Sequence, residues 1–345
     1  MKINIDYIEG EKNSNSFGIN LLSCNYIFFL KNQINIKKYL YPHVKNSLIK
    51  QLYIYIIFPI KLWFILRNTK KIIHTSSQGY AHIAHFLSSK KLVITCCDLI
   101  PIIFSERKNI YQTLLLNYTF SGLKKAKKII AISNSTKNDL IKYLGISEEK
   151  IKVIYPGVSE NFKPLNLIKK NFILYVGAFY KSKNLTVLFK SFSKISKIYP
   201  NLRLVIVNDK NNLPKGLSLL MNNLNILDKI DFTGNISEKA LIKIYNQAKL
   251  LVQPSYYEGF GLPVLEAMAC GCPVLTSNTS SLPEVVGNAG IMVDPNDISG
   301  FTKGIKEIIT NNKLRKKMVK RGLKQAQKFY WLRTASETLK IYKDI

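Results

Sequence analysis

Short apolar runs rich in β-branched residues alternate with helix-length stretches along most of this chain, and few architectures accept that pattern. In the first half the runs are Lys2 to Tyr7, Lys71 to His74, Val93 to Thr95, Ile129 to Ser133 and Ile151 to Ile154. Pro156-Gly157 ends this block, and Ser159 to Lys170 has no apolar period and reads as a linker. The alternation then begins again with Phe172 to Val176, Leu204 to Val207, Ile230 to Phe232, Leu250 to Gln253, Val274 to Thr276 and Ile291 to Val293. A run that is apolar at nearly every position suits a strand buried on both faces, as in a parallel sheet covered by crossover helices. One helix is bounded explicitly: Ser133-Asn134-Ser135-Thr136 supplies N-cap residues, an amphipathic stretch follows, and Gly145 stops it after Leu144. Two such blocks in 345 residues, too many for one core, imply an α/β protein of two doubly wound, Rossmann-like domains facing a central cleft. The expected division is 1–165 and 166–330, with a terminal helix over 331–345 free to cross back to the first domain.

Charge narrows the partners. The formal net charge is +30, and only six of the 51 basic residues are arginine. Lysines dispersed over the whole chain, with arginine scarce, do not suit base readout, so nucleic acid is not expected as a partner. Coding bias toward Lys, Ile and Asn accounts for the charge as well as an anionic partner does, such as a phospholipid surface or a phosphorylated acceptor. Cys24, Cys96, Cys97, Cys270 and Cys272 form neither a zinc spacing nor a disulfide framework, which fits a reducing cytoplasm. The N-terminus reads as a strand, so no secretory leader is expected. The most apolar run, Leu52 to Leu66, contains Pro59 and Lys61 and falls short of the roughly 20 residues of a spanning helix. Flanked by Lys50, Arg67, Lys70 and Lys71, it is either a buried helix, the preferred reading, or one lying in a membrane interface.

The densest chemistry lies in PSYYEGFGLPVLEAMACGCPVLTSNTSSLPEVVGNAGIMVDP, Pro254 to Pro295. A strand ends at Gln253, a loop carries Glu258, then come Gly259, Phe260 and Gly261, and Pro263 starts a helix that holds Glu266. A helix N-terminus presents unpaired N–H groups and a partial positive charge, which favour a phosphate. Glycines let backbone approach a ligand, and carboxylates accept hydrogen bonds from sugar or ribose hydroxyls. Phosphate and hydroxyls together point to a nucleotide-sugar.

The segment resembles the donor signature of retaining glycosyltransferases of family 4, which have the GT-B fold. The matching residues are Glu258 and Glu266, Ala267-Met268-Ala269-Cys270-Gly271, Pro273-Val274 and Leu282-Pro283-Glu284-Val285-Val286-Gly287. The resemblance implies a nucleoside diphosphate sugar as co-substrate, its diphosphate on the Gly259, Phe260, Gly261 and Leu262 amides, its sugar at Glu258 and its ribose at Glu266. FILYVGAFYKSKNL, Phe172 to Leu185, resembles the second donor element: Gly177 follows the strand, and Lys183 is implied at the diphosphate, where an ammonium offsets the charge of the leaving group. Relatives often carry an arginine just before this lysine; here Ser182 and Lys181 stand there, and Lys181 is the substitute candidate. Gly234 in Phe232-Thr233-Gly234-Asn235 either lines the base or only satisfies a turn, and Asn208 occupies a position that is glycine in relatives. Gly18, with Gly10 in the loop after the first strand, is implied to close over the phosphates.

One position departs seriously. Many relatives read His-Asp-Leu-Ile-Pro where this chain has Cys97-Asp98-Leu99-Ile100-Pro101, and a thiol cannot carry the charge or the hydrogen bonds of imidazole. Either the histidine is dispensable, because the donor phosphate takes the acceptor proton, or Asp98, His82 or His85 assists, or activity is impaired. No Asp-x-Asp triplet is present, so no metal and no other cofactor is expected; Asp228 and Asp231 have the wrong spacing and read as strand caps. The expected activity is metal-independent, retaining hexosyl transfer, with GDP-mannose as first donor and a glycan or lipid-linked saccharide as acceptor. Envelope or surface polysaccharide assembly at the inner face of the membrane is the implied setting. The alternative is a non-catalytic nucleotide-sugar-binding subunit of a glycan-assembly complex.

Overall fold

The computed structural model describes residues 2–10, 25–40, 51–104 and 110–345. Gly18 and Cys24 lie outside the described residues. The chain divides into two compact units, Met1–Gly157 with Tyr330–Ile345, and Val158–Phe329. The division falls at 157/158 rather than 165/166, because the stretch read as a linker already packs on the second unit. Phe162 is buried with its ring 6.1 Å from that of Tyr245. The Leu165 N–H donates to Asn246 Oδ1 at 2.7 Å, and Asn246 Nδ2 donates to the Lys163 carbonyl at 3.0 Å.

In the first unit, β1 (Ile3–Glu9), β2 (Ile34–Leu40), β3 (Ile72–Thr75), β4 (Leu92–Cys96), β5 (Lys128–Ala131) and β6 (Ile151–Val153) form one sheet. All pairs are parallel, in the order β2-β1-β3-β4-β5-β6. Every residue of β3 and β4 is buried, the polar His74, Thr75 and Thr95 among them. Strand β2 was not foreseen: INIKKYL is an edge strand whose Lys37 and Lys38 break the apolar run, and Lys38 pairs with Glu9 at 3.0 Å. Lysines on an edge discourage pairing with a further strand.

The helix Asn134–Leu144 is capped as its sequence demands. Ser133 Oγ accepts from the Thr136 N–H at 3.0 Å, and Gly145 adopts φ 60°. The Leu52 to Leu66 run requires correction. A π-helical turn, Tyr53–Ile57, continues into an α-helix, Phe58–Leu66, which buries only Phe58, Pro59, Leu62 and Leu66. Ile56, Ile57, Ile60, Trp63, Phe64 and Ile65 face outward. One sheet face accepts one stripe of a helix, and this helix is apolar all round, so the surplus is exposed.

The terminal helix Trp331–Lys343 belongs to this first unit. Trp331, Ala335, Leu339, Ile341 and Tyr342 are buried, and Thr334 Oγ1 donates to the Tyr155 carbonyl at 2.7 Å. Its anchor is His74 on β3, whose Nδ1 lies 2.5 Å from the Tyr342 hydroxyl and whose Nε2 lies 2.9 Å from Thr95 Oγ1 on β4. Burial lowers the His74 pKa to about 3, so the ring is neutral and serves one partner as donor and the other as acceptor.

In the second unit, β7 (Phe172–Val176), β8 (Arg203–Val207), β9 (Ile230–Phe232), β10 (Leu250–Gln253), β11 (Val274–Ser277) and β12 (Ile291–Val293) form a parallel sheet in the order β12-β11-β10-β7-β8-β9. Phe189 and Phe192 of the helix Leu185–Ile198, with Leu204, Ile206, Leu250 and Phe301, fill its core. Asp231 does not cap a strand. It lies within β9, where its carboxylate accepts from Arg203 Nε and Nη2 at 2.5 and 2.6 Å across from β8. The winding reverses between β7 and β10, which are neighbours although two strands intervene in sequence. Crevices beyond the carboxyl ends of strands at such a reversal are where doubly wound sheets bind ligands.

Candidate active site

The loops that leave β7 and β10 carry Lys183 and Glu258, and the fold brings these residues together. Lys183 Nζ lies 2.6 Å from Glu258 Oε2, and Glu258 is only 7% exposed. The other carboxylate oxygen, Oε1, accepts from Gln253 Nε2 at 2.8 Å and from Ser255 Oγ at 2.7 Å. Three side chains thus fix one carboxylate in orientation.

Local conformation explains how each group is placed. After Gly177 (φ 153°), where a Cβ would lie 2.9 Å from the Tyr175 hydroxyl, a short 3-10 turn over Lys181–Lys183 ends at Asn184. Asn184 is left-handed (φ 54°), and its side chain donates to the carbonyls of Pro254 at 3.0 Å and Pro295 at 2.7 Å. That one amide ties the loops after β7, β10 and β12 and sets Lys183 against Glu258. Ser182 is buried and its carbonyl receives the Tyr256 N–H at 2.8 Å, while Lys181 is exposed. Asn208 ties the strand ends together: its Nδ2 donates to the Gly177 carbonyl at 2.9 Å, and its own carbonyl receives the Gly234 N–H at 3.1 Å. Gly234 has φ 69° with open space where a Cβ would be, so conformation rather than crowding calls for glycine there.

Glu258 is held from the far side by a run of hydroxyls whose role the sequence did not disclose. Ser280 Oγ accepts from the Glu258 N–H at 2.9 Å. Ser281 Oγ contacts the Glu258 and Phe260 carbonyls at 2.9 and 2.8 Å, and Ser277 Oγ donates to the Ser255 carbonyl at 2.6 Å. Thr276-Ser277-Asn278-Thr279-Ser280-Ser281 was the available signal, because short hydroxyl side chains in a loop serve neighbouring backbone. Gly259, Phe260 and Gly261 then lead into the helix Leu262–Ala269, with Gly261 as its N-cap at φ 104° and no side-chain hydrogen bond capping the helix start. A Cβ at Gly261 would sit 3.0 Å from a Leu282 methyl, and the left-handed backbone there strains any other residue. Within this helix Glu266 accepts from the Tyr245 hydroxyl at 2.8 Å, and burial raises its pKa to about 7. The Gly259 to Leu262 backbone, Glu258, Glu266 and Lys183 therefore lie on the loops and helix at the reversal point of one sheet.

Cys97 and Asp98 follow β4 in the first unit. Cys97 is buried, its N–H donates to Gln78 Oε1 at 2.9 Å, and burial followed by the Asp98 charge pushes its thiol well above the ordinary range. It is a neutral thiol and supplies neither base nor cation. Asp98 Oδ1 accepts from the Ile100 N–H at 3.0 Å, an Asx turn ahead of the short helix Ile100–Ile103. The histidines considered as substitutes are engaged elsewhere. His82 Nε2 donates to the Ile54 carbonyl at 3.0 Å, and burial lowers its pKa to about 4. His85 stacks on Tyr118 with centroids 4.5 Å apart, and its Nε2 lies 3.1 Å from the Tyr118 carbonyl.

Comparison with known proteins bears on the family and the fold. The family described as "Glycosyl transferases group 1" matches residues 158–325, and "Glycosyltransferase Family 4" matches residues 30–162. The chain is 30% identical over 238 residues to the O-antigen chain mannosyltransferase B of Escherichia coli, a match spanning 64% of this chain and 62% of that protein. The chain thus spans less than two thirds of the length of this relative. Among solved structures, sucrose-phosphate synthase from Thermosynechococcus elongatus superposes with a TM-score of 0.79 at 19% identity, covering 99% of both chains. The Anabaena protein HepE, in complex with UDP-glucose, superposes at 0.76 and 16% identity, covering 99% of this chain and all of that one. These likenesses establish the fold, which is GT-B.

Proposed function

We propose that this chain, which belongs to the group 1 glycosyltransferases of family 4, moves one hexosyl group from a nucleoside diphosphate donor to a saccharide acceptor with retention of configuration. The observation that carries this reading is the pair of Lys183 and Glu258, 2.6 Å apart, on the loops that lead to the helix start at Gly261, which no side chain caps by a hydrogen bond. An ammonium and a helix N-terminus together suit a diphosphate, and a fixed carboxylate suits the positive charge that grows on a sugar ring. As the bond from the anomeric carbon to the phosphate oxygen breaks, Lys183 neutralises the departing diphosphate. The acceptor hydroxyl attacks from the same face and gives its proton to a phosphate oxygen, so no imidazole is needed where Cys97 stands. Similarity to an O-antigen mannosyltransferase supports GDP-mannose as the first donor to test and a glycan or lipid-linked saccharide as acceptor. With Lys183 supplying the cation, no metal is required, and cytoplasmic work on surface polysaccharide is the setting that fits.

Purified protein should be screened for thermal stabilisation and slow hydrolysis against GDP-mannose, UDP-glucose, UDP-N-acetylglucosamine and UDP-galactose. One donor should stabilise and be hydrolysed, with the rate unchanged by a chelator of divalent cations. Loss of the rate on chelation would sink the metal-free mechanism, and no stabilisation by any donor would sink the reading itself. The buried thiol of Cys97 favours one second reading, a binding subunit without turnover. Stabilisation without turnover, even in Cys97→His, is its signature.

Glu266 gives the reading a pH dependence. Its carboxyl is raised to about 7 by burial, so near neutrality the free protein holds it partly protonated. In this reading the carboxylate accepts from ribose hydroxyls, and the protonated form loses acceptor capacity. Nucleotide affinity should therefore rise as pH goes from about 6 to about 8, by up to about ten-fold, and Glu266→Gln should flatten the profile. Stability runs the other way. A carboxyl raised above its unfolded value stabilises most below about 4.5 and loses that contribution as pH climbs toward about 7. Calorimetry in buffers of different ionisation enthalpy should show proton release on nucleotide binding below about pH 7. A flat affinity profile in the unmodified protein would remove Glu266 from the ribose.

A further inference from the structure

Outside the donor-site residues, the most unusual surface is built by two helices of the first unit. Helix Phe58–Leu66, with its π-helical entry Tyr53–Ile57, lies beside helix Ile110–Ser121. Tyr111 donates to Gln51 Oε1 at 2.9 Å, and Thr119 Oγ1 donates to the Tyr55 hydroxyl at 3.3 Å. His85 joins them from below, stacked on Tyr118 and lining an open depression with Ile60, Trp63, Phe64 and Phe86. Large apolar side chains stand outward on both helices: Phe64 and Leu114 are each 61% exposed, and Ile56, Ile60 and Ile110 are exposed beside them. Helix Ile110–Ser121 contains no charged residue at all.

Among the described residues of these two helices and their flanks, charge has one sign. Residues 51–97 and 110–138 contain neither aspartate nor glutamate, whereas Lys61 and Arg67 are exposed on one helix and Lys124 and Lys125 follow the other. Arg67 lies over the rings of Trp63 and Phe64, 5.2 and 5.7 Å from their centroids. Aromatic and aliphatic side chains bordered by lysine and arginine, with acids excluded, match an anionic lipid surface, where rings enter the headgroup boundary and cations meet phosphates. A protein partner of equal apolar area would not require the exclusion of acids over two long segments. No helix among the described residues is long and apolar enough to cross a membrane. We infer that this two-helix face seats the first unit on an anionic bilayer. The inference adds a place of work to the proposed transfer to a lipid-linked acceptor, rests on that reading for its purpose, and is tested apart from it.

The protein carries its own reporter, since its two tryptophans are Trp63, 38% exposed on this face, and Trp331, buried at 4%. Full-length protein should bind vesicles of phosphatidylcholine with about a third phosphatidylglycerol at least ten-fold more tightly than phosphatidylcholine alone. Binding should shift Trp63 emission to the blue and expose it to quenching by brominated lipid, and Trp63→Phe should abolish both signals. Ile60→Ser with Phe64→Ser, and separately Leu114→Ser, should each weaken binding about ten-fold or more. Thermal melting and donor hydrolysis without vesicles should remain those of the unmodified protein, so a failed transfer reading shows as missing hydrolysis while binding persists. Vesicle binding that the serine variants leave intact, with no Trp63 shift, would mean that net charge alone attracts lipid and would overturn the inference. Sedimentation showing a dimer that the same variants dissociate would also overturn it, by giving the face to a second copy.

Discussion

Glu258→Gln is expected to reduce turnover about a thousand-fold while leaving nucleotide affinity within about ten-fold of the starting protein. The substitution keeps shape and removes charge. Its new amide meets three donors, Lys183 Nζ, Gln253 Nε2 and Ser255 Oγ, where the carboxylate had accepted from all of them. Lys183 is then a largely buried cation without its partner, so stability should fall as well, by up to about 3 kcal/mol. The two losses can be separated. Lys183→Met combined with Glu258→Gln removes the stranded cation, and its melting temperature should recover toward the original while turnover stays lost. Kinetics of hydrolysis and transfer, read beside thermal melting of the single and double variants, decide the matter. Turnover that recovers together with stability in the double variant would reduce the pair to a structural role.

Part of this site is legible in sequence because it is local. Glu258, Gly261, Pro263 and Glu266 follow one another over a single strand–loop–helix unit, so spacing alone puts them near one helix start. Lys183 was reachable only through the match of its own segment, because its contact with Glu258 spans 75 residues. Gln253 and Ser255 were invisible for another reason: a strand-end glutamine and a loop serine look ordinary until a carboxylate is placed against them. The strand–helix alternation disclosed the strands whose runs are mainly apolar, and missed β2, whose outer residues are lysines facing solvent. Exposure of the Phe58–Leu66 helix was unreadable because hydrophobicity reports what a residue favours, not whether a neighbour is available to cover it.

A chain cut after Phe329 should lose the first unit and keep the second. The helix Trp331–Lys343 buries Trp331, Leu339, Ile341 and Tyr342 in the first unit, and full burial of such side chains contributes about 2 kcal/mol each. Removing roughly 8 kcal/mol consumes most of the stability a domain of this size has. His74 loses its Tyr342 partner at the same stroke, and apolar surface on the first unit is bared. Limited proteolysis of the shortened chain should leave a resistant fragment near residues 158–329, and thermal melting should retain a single transition belonging to it. A fragment of residues 1–157 that resists protease equally well would show that the terminal helix is dispensable.

The discontinuity of the first unit also sets an order of events during synthesis. Its six strands leave the ribosome early, yet the helix that completes it emerges only after the whole of Val158–Phe329 has been made. At elongation rates of about 5–20 residues per second that interval is on the order of ten seconds or more. The later unit, continuous in sequence, can reach its native state first. The earlier one waits with the place of Trp331 and Tyr342 unfilled, and for that interval its exposed apolar surface makes it the half of the molecule that most needs a chaperone.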